Sequence, residues 1–320
     1  MSDQGPEALE ALRAGGKPAL AQMLGQIEAA ADAPETAALL DAALAAQRAH
    51  VIGLTGPPGV GKSTLTDALI RRFRADGAHI GVIAVDPSSR RSGGALLGDR
   101  TRIAREPGDG AVFMRSMAAR DRLGGLAALT FPSVVLMGAL MDVVLVETVG
   151  VGQSETDVDG VVDTVVFCAQ PGSGDALQYM KAGVMEIPDL VLVTKADLGA
   201  LARRTVSDMR GALSLAAPQG RPTPGEAAPS VLSCSASTGE GLEEVVAALR
   251  QAAAGTAPDR THRRRAQAHR WTEAAMTLEF GRYGAASLSA GIGDDSRPFA
   301  AQAGAAAAMR SALDRVLGSA

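Results

Sequence analysis

Leu and Ala recur at intervals of three and four through residues 7–48, in EALEALRA, PALAQMLGQIEAA and ETAALLDAALAAQRA, with Gly15, Gly16 and Pro34 as interruptions. That period lines up apolar side chains on one face of a helix, so the stretch predicts two or three helices. From residue 51 the pattern changes. Short runs rich in Val, Ile and Leu at 51–55, 79–85, 143–147, 164–169, 190–194 and 231–234 alternate with helical stretches. Unbroken apolar runs of this length suit strands covered on both faces. Their alternation with helices predicts an α/β fold with a doubly wound, largely parallel sheet.

The longest apolar region, residues 134–149, is interrupted by Asp142 and Glu147 and reads as a helix followed by a strand, not as a membrane span. LAAPQGRPTPGEAAPS, residues 215–230, is a Pro- and Gly-rich loop before the last core strand. A helix over 240–253 and a linker at 255–259 lead to HRRRAQAHRWTEAAMTLEF, which reads as a long helix. A Gly-rich turn through Gly293 and an Ala-rich helix near 301–317 follow. The resulting division is a helical extension over 1–48, a nucleotide-binding core over 49–254 and a second helical extension over 255–320, read as a dimerisation arm. The basic run 262–265 opens the long helix, where its charge opposes the helix dipole. It reads as a solvated helix start or as a contact for an acidic partner or second subunit. Trp271, Ala275, Leu278 and Phe280 read as core or dimer contacts.

The candidate chemistry begins at residues 51–65, VIGLTGPPGVGKSTL. Gly56, Gly61, Lys62 and Ser63 complete a G-x-x-x-x-G-K-[ST] phosphate loop between an apolar run and a helix. Glycines at 56, 59 and 61 allow the backbone of Gly56, Pro57, Pro58, Gly59, Val60 and Gly61 to form a nest of N–H groups. The helix starting near Lys62, with Ser63 and Thr64 in its first turn, adds the positive end of its dipole. Lys62 would reach the β- and γ-phosphates, and Ser63 would offer its hydroxyl to Mg²⁺. This loop alone does not choose between ATP and GTP.

Asp86 ends the second apolar run and Glu147 the third. Carboxylates at the carboxyl ends of strands beside a phosphate loop face the ligand crevice, within reach of Mg²⁺ and its waters. Thr194, Lys195, Ala196 and Asp197 follow the run DLVLV. A [NT]-K-x-D tetrapeptide at that place reads guanine: the Asp carboxylate accepts from two ring-side N–H groups, and the Lys stem lies along the base. Ser235 and Ala236 are placed to close over the base edge through their backbone N–H groups.

Composition narrows the class. A net charge of −4 provides no basic field for nucleic acid. Cys168 and Cys234 lie inside apolar runs, where a small buried thiol is the default. The first residues carry Asp3, Glu7 and Glu10 without an apolar core, unlike a signal or transit peptide, which makes the expected compartment the cytoplasm.

Taken together, DPSSRRSGGALLGDRTRI, VFMRSMAARDRLGGL, VETVGVGQSE and PGSGDALQYMKAGVMEIPD resemble the MeaB-type GTPases, some relatives of which carry an older label as arginine/ornithine transport kinases. The likeness runs from about residue 17 to about 284. It implies a homodimeric, Mg²⁺-dependent GTPase that holds GTP or GDP. Such a GTPase acts as a chaperone for an adenosylcobalamin-dependent acyl-CoA mutase, helping to load and protect its cofactor without holding cobalamin itself. The mutase's adenosyltransferase is a further implied partner, and neither nucleic acid nor membrane is. The family's metal-site acids match Asp86, Asp99 and Glu147, beside Ser63. Lys62, Glu147 and Gln153 are the candidate catalytic residues, Gln153 as the group that orients water. A coupling switch matches 172–183 and contains Asp175, Gln178 and Lys181. Thr194 departs from the family's usual Asn, so an amide able to touch the base and brace the phosphate loop is missing and weaker affinity is expected. Three rivals share parts of the pattern. A nickel-insertion GTPase calls for a His- or Cys-rich segment, against 4 His and 2 Cys that do not cluster. A kinase or transport ATPase is disfavoured by the guanine-type TKAD, and a nucleotide-binding scaffold without turnover remains the rival from another class.

Overall fold

All six apolar runs become strands, and a seventh strand joins them. The computed structural model describes residues 4–87, 109–119, 126–127, 129–149, 155–172, 187–216, 229–291 and 297–317. The strands are β1 (His50–Thr55), β2 (Ile80–Pro87), β3 (Val112–Ala119), β4 (Val143–Glu147), β5 (Thr164–Ala169), β6 (Leu190–Val193) and β7 (Ser230–Ser233). The helices are α1 (Gln4–Ala30), α2 (Pro34–Ala45), α3 (Lys62–Ala75), α4 (Thr130–Leu140), α5 (Ala200–Ala216), α6 (Leu242–Thr256), α7 (Arg260–Gly291) and α8 (Pro298–Leu317). They divide into two compact units, one formed by 50–130 with 141–257 and the other by 1–49, 131–140 and 258–320.

In the sheet unit every described ladder is parallel and the strand order is β3-β2-β4-β1-β5-β6-β7. The chain winds outward from β1 to β2 and β3, returns as β4 beside β1, then winds the other way through β5, β6 and β7. β1 is buried along its whole length, as a central parallel strand must be. One face of the sheet packs Ile52, Leu54, Val82 and Leu145 against Leu65, Leu69 and Phe73 of α3 and Val246 of α6. The other face packs Phe167, Val191 and Val193 against Ala202, Met209 and Leu213 of α5. Alternate residues of β5 and β6 therefore face opposite layers, which is why these runs are apolar without a period of two.

The strand that periodicity missed is β3. Its sequence VFMRSMAA mixes Met, Ala and Arg, good helix formers, with Arg115 and Ser116 interrupting the apolar run. Pairing with β2 over eight registered positions, from Ile80↔Val112 to Pro87↔Ala119, overrides that propensity. The join between α6 and α7 is also shorter than the expected linker, since α6 runs to Thr256 and α7 starts at Arg260.

In the helical unit the Gly15–Gly16 break appears as a kink inside α1, with Gly16 at φ 60°. Helix α4 (TFPSVVLMGAL) lies within the span expected to be core, yet groups with the terminal helices. The Gln47 side-chain amide donates to Val135 O at 2.6 Å, Ala49 N–H donates to Gly138 O at 3.0 Å, and Arg13 Nη2 donates to Ala139 O at 3.1 Å. A Cβ at Gly138 would stand 2.2 Å from the Gln47 carboxamide oxygen, so a side chain there would have to displace the Gln47 carboxamide. The Phe131 ring lies 6.2 Å from Trp271 and 6.3 Å from Phe299, which places Trp271 in the core of this unit, whereas Leu278 is 73% exposed. Within the basic run, the solvated reading fails for Arg264, which is fully buried and donates through Nη1 to Gln267 at 2.7 Å; His262 and Arg265 are exposed.

Helix α8 takes its cap from far away in the sequence. The buried Asp41 carboxylate accepts from Phe299 N–H at 3.0 Å and Ala300 N–H at 2.9 Å, satisfying two of the donors a helix start leaves open. Asp41→Ala removes both acceptors inside a packed unit, so a stability loss of about 1–3 kcal/mol is expected. Urea unfolding followed by circular dichroism checks this, and an unchanged midpoint would rule out the cap as a stabilising contact. Among the described residues no helix is long and apolar enough to cross a membrane.

Candidate functional site

The chain leaves β1 at Thr55 and enters α3 at Lys62, so residues 56–61 turn over the carboxyl end of the central strand. Here strand order reverses from β4 on one side to β5 on the other, the place where open α/β sheets form a ligand crevice. Gly56, Gly59 and Gly61 have φ values of 135°, 76° and 105°, a region side-chain-bearing residues avoid. At Gly56 space forbids a side chain as well: a Cβ would lie 2.3 Å from Cys168 O on β5. Pro57 and Pro58 carry no N–H, and Pro57 O accepts from Val60 N–H at 3.4 Å. Lys62 is 6% exposed, and its ammonium donates to Gly56 O at 2.8 Å and Pro57 O at 3.1 Å. The loop is thus curled around its own lysine. Thr64 is exposed on the first turn of α3.

Ser63 Oγ donates to Glu147 Oε1 at 2.6 Å, which brings the hydroxyl and the acid expected to share a metal into direct contact. Both carboxylates at the strand ends are nearly buried, Asp86 at 8% and Glu147 at 7% exposure. Ala84 is registered opposite Glu147, so Asp86 stands two residues further along the neighbouring strand on the same face of the sheet. A hydroxyl and two carboxylates converging on one edge are hard oxygen donors, the set that suits Mg²⁺. Two further hydroxyls that sequence reading passed over belong here. Thr66 Oγ1 lies 3.4 Å from Glu147 Oε2, and Thr148 Oγ1 lies 3.2 Å from Thr55 Oγ1. The signal for Thr66 was its position three residues after Ser63, on the same face of α3.

The TKAD tetrapeptide stands against the phosphate loop. Thr194 Oγ1 donates to Val60 O at 2.7 Å, with Ala169 O at 3.2 Å, and Lys195 Nζ donates to Gly59 O at 3.1 Å. Although the family's usual amide is missing at this position, the Thr194 hydroxyl makes its own contact with the phosphate loop. Lys195 has φ 54°, the single non-glycine positive φ among the described residues, and this turn exposes Asp197. Ala196 N–H donates to Cys234 O at 3.1 Å, and Cys234 N–H donates to Val193 O at 2.9 Å, which ties the segment after β7 to the same site. Burial pushes the Cys234 thiol up to about 11, so it stays protonated and unreactive. Ser235 N–H, expected to face the base, donates to Glu240 O at 2.8 Å; that expectation narrows to Ala236, which is partly exposed. Asp99, Gln153, Asp175, Gln178 and Lys181 lie outside the described residues.

A family model described as methylmalonyl Co-A mutase-associated GTPase MeaB matches residues 20–281. A Pyrococcus horikoshii protein named as a GTPase is 55% identical over 150 residues, 47% of each chain, so the match spans about half that relative's length. The fused isobutyryl-CoA mutase of Cupriavidus metallidurans is 40% identical over 199 residues, 60% of this chain and 18% of that one. Among solved structures, an LAO/AO transport system kinase matches with a TM-score of 0.65 at 29% identity, over 87% of this chain and 85% of that one.

Proposed function

The chain belongs to the MeaB family of mutase-associated GTPases, and on that premise we propose that it hydrolyses GTP in the service of an adenosylcobalamin-dependent acyl-CoA mutase. The observation that carries this reading is the direct bonding of a guanine-type tetrapeptide to a phosphate loop, Thr194 to Val60 and Lys195 to Gly59. Base and phosphates are then read by one connected framework. A relative in which such a domain is part of an isobutyryl-CoA mutase supports the choice of partner class.

In this reading Lys62 leaves the Gly56 and Pro57 carbonyls for the β- and γ-phosphates, and the amides of residues 59–62 hold the phosphate oxygens. Ser63, Asp86 and Glu147 hold Mg²⁺, with Asp99 as a further acid. When bound, the metal neutralises charge on the phosphates. Gln153 orients the water that attacks the γ-phosphorus in line. Asp197 accepts from guanine, Lys195 lies along the ring and the Ala236 amide meets its edge. Hydrolysis by the isolated chain is slow. The segment with Asp175, Gln178 and Lys181 passes the nucleotide state to the mutase, and the chain works as a cytoplasmic homodimer through its 255–320 extension.

Phosphate release from GTP and from ATP, with and without an acyl-CoA mutase and its adenosylcobalamin, tests the proposal. Slow GTP turnover raised severalfold by the mutase is expected, with ATP inactive. Preference for ATP would refute the guanine reading. Measurable GTP turnover unmoved by methylmalonyl-, ethylmalonyl- and isobutyryl-CoA mutases would refute the partner.

A further inference from the structure

We infer that Thr205 of α5 is a positioning residue for the coupling switch, tying the point where that segment leaves the sheet to the helix that follows the guanine-reading turn. The inference rests on the proposed role of residues 172–183 in passing the nucleotide state to a mutase. Beyond β5 the chain runs through the buried Pro171 to Gly172, the first residue of that segment. Gly172 N–H donates to Thr205 Oγ1 at 3.3 Å, and Thr205 is 7% exposed. The one hydroxyl proton goes to Leu201 O, a turn earlier in α5, at 3.1 Å, which leaves the oxygen to accept.

A second contact marks the same place. Gly172 has φ 75°, and a Cβ there would stand 3.0 Å from Leu201 Cδ2 and 3.4 Å from its Cδ1, so backbone conformation and space both favour glycine. Leu201 and Thr205 are four residues apart and share one face of α5. Gly172 is therefore held at its N–H by the one and packed by the other. Asp197 lies four residues before Leu201, across a turn in which Leu198 N–H donates to Lys195 O at 3.0 Å and Gly199 N–H to Ala196 O at 2.9 Å. The base-reading carboxylate and the start of the coupling switch thus share one hydrogen-bonded support. Thr205 joins them without touching nucleotide.

The test compares wild type, Thr205→Val and Thr205→Ser by amide exchange at Gly172, melting temperature, GTP affinity, and GTP turnover with and without the acyl-CoA mutases named above, each carrying adenosylcobalamin. Thr205→Val keeps the shape and removes the acceptor. It is expected to speed exchange at Gly172 by about 10-fold and to cut mutase-stimulated turnover severalfold, with GTP affinity and intrinsic turnover within about twofold of the wild type. Thr205→Ser keeps the acceptor and restores both. A merely structural role would lower the melting temperature and reduce intrinsic and stimulated turnover alike, and that result would overturn the inference. Unchanged exchange at Gly172 in Thr205→Val would overturn it as well, and so would faster exchange with stimulation intact. A wild type that no mutase stimulates would refute the partner proposal itself, a result read before any substitution is made, and the coupling role of Thr205 would fall with it.

Discussion

Lys62→Ala is expected to lower GTP hydrolysis by at least about 10²–10³-fold, the scale on which removal of one preorganised charge-stabilising donor is felt. The ammonium is buried at the carboxyl end of β1 and can be neither replaced by solvent nor screened by salt as an exposed lysine would be. Its two bonds in the structure go to Gly56 O and Pro57 O, loop carbonyls and not core groups, so the sheet keeps its packing when they are lost. Lys62→Arg is no remedy, because a planar fork does not match two carbonyls arranged for a compact ammonium. Single-turnover phosphate release by protein purified free of contaminating GTPases is the measurement, with circular dichroism to confirm the fold. A wild-type rate in Lys62→Ala would remove Lys62 from the chemistry.

Asp197→Asn is expected to weaken GTP binding by roughly 10²–10⁴-fold, because two charge-assisted bonds worth about 1.5–3 kcal/mol each are lost or reduced. The same change opens the site to xanthosine triphosphate. Its C2 carbonyl would accept from the new carboxamide, where guanine's amine met a carboxylate. Asp197 is exposed on a turn built by Lys195's left-handed backbone and the Ala196–Cys234 bond, so the melting temperature of the free chain should barely move. Calorimetric titration with GTP, ATP and xanthosine triphosphate decides the matter. A GTP preference unaltered by the substitution would detach Asp197 from base recognition.

The phosphate loop was legible because its chemistry is local: glycine spacing, a lysine and a hydroxyl within eight residues, between a strand and a helix. The placement of Asp86 and Glu147 was legible for a related reason, since each closes an apolar run whose carboxyl end lies beside that loop. What escaped depends on distance in sequence. β3 forms because β2 offers it eight partners, against the helix preference of VFMRSMAA. The destination of α4 is set by Gln47, Trp271 and Phe299, none of which its own eleven residues reveal. At Thr194 the missing amide was visible in the sequence, but the bond from its hydroxyl to the Val60 carbonyl, 134 positions away, was not.

The placement of α4 also has a consequence in time. Phe131, Val134, Val135, Leu136 and Met137 leave the ribosome early, whereas Phe299, which closes over Phe131, follows 168 positions later. At about 5–20 residues per second, that interval is roughly 10–30 s of synthesis, longer than a helix or a strand pair needs to form. Throughout it, Phe131 is without the ring that finally stacks on it. The stacking of these two rings cannot form until residue 299 has been made, so this part of the helical unit closes long after its first residues are synthesised.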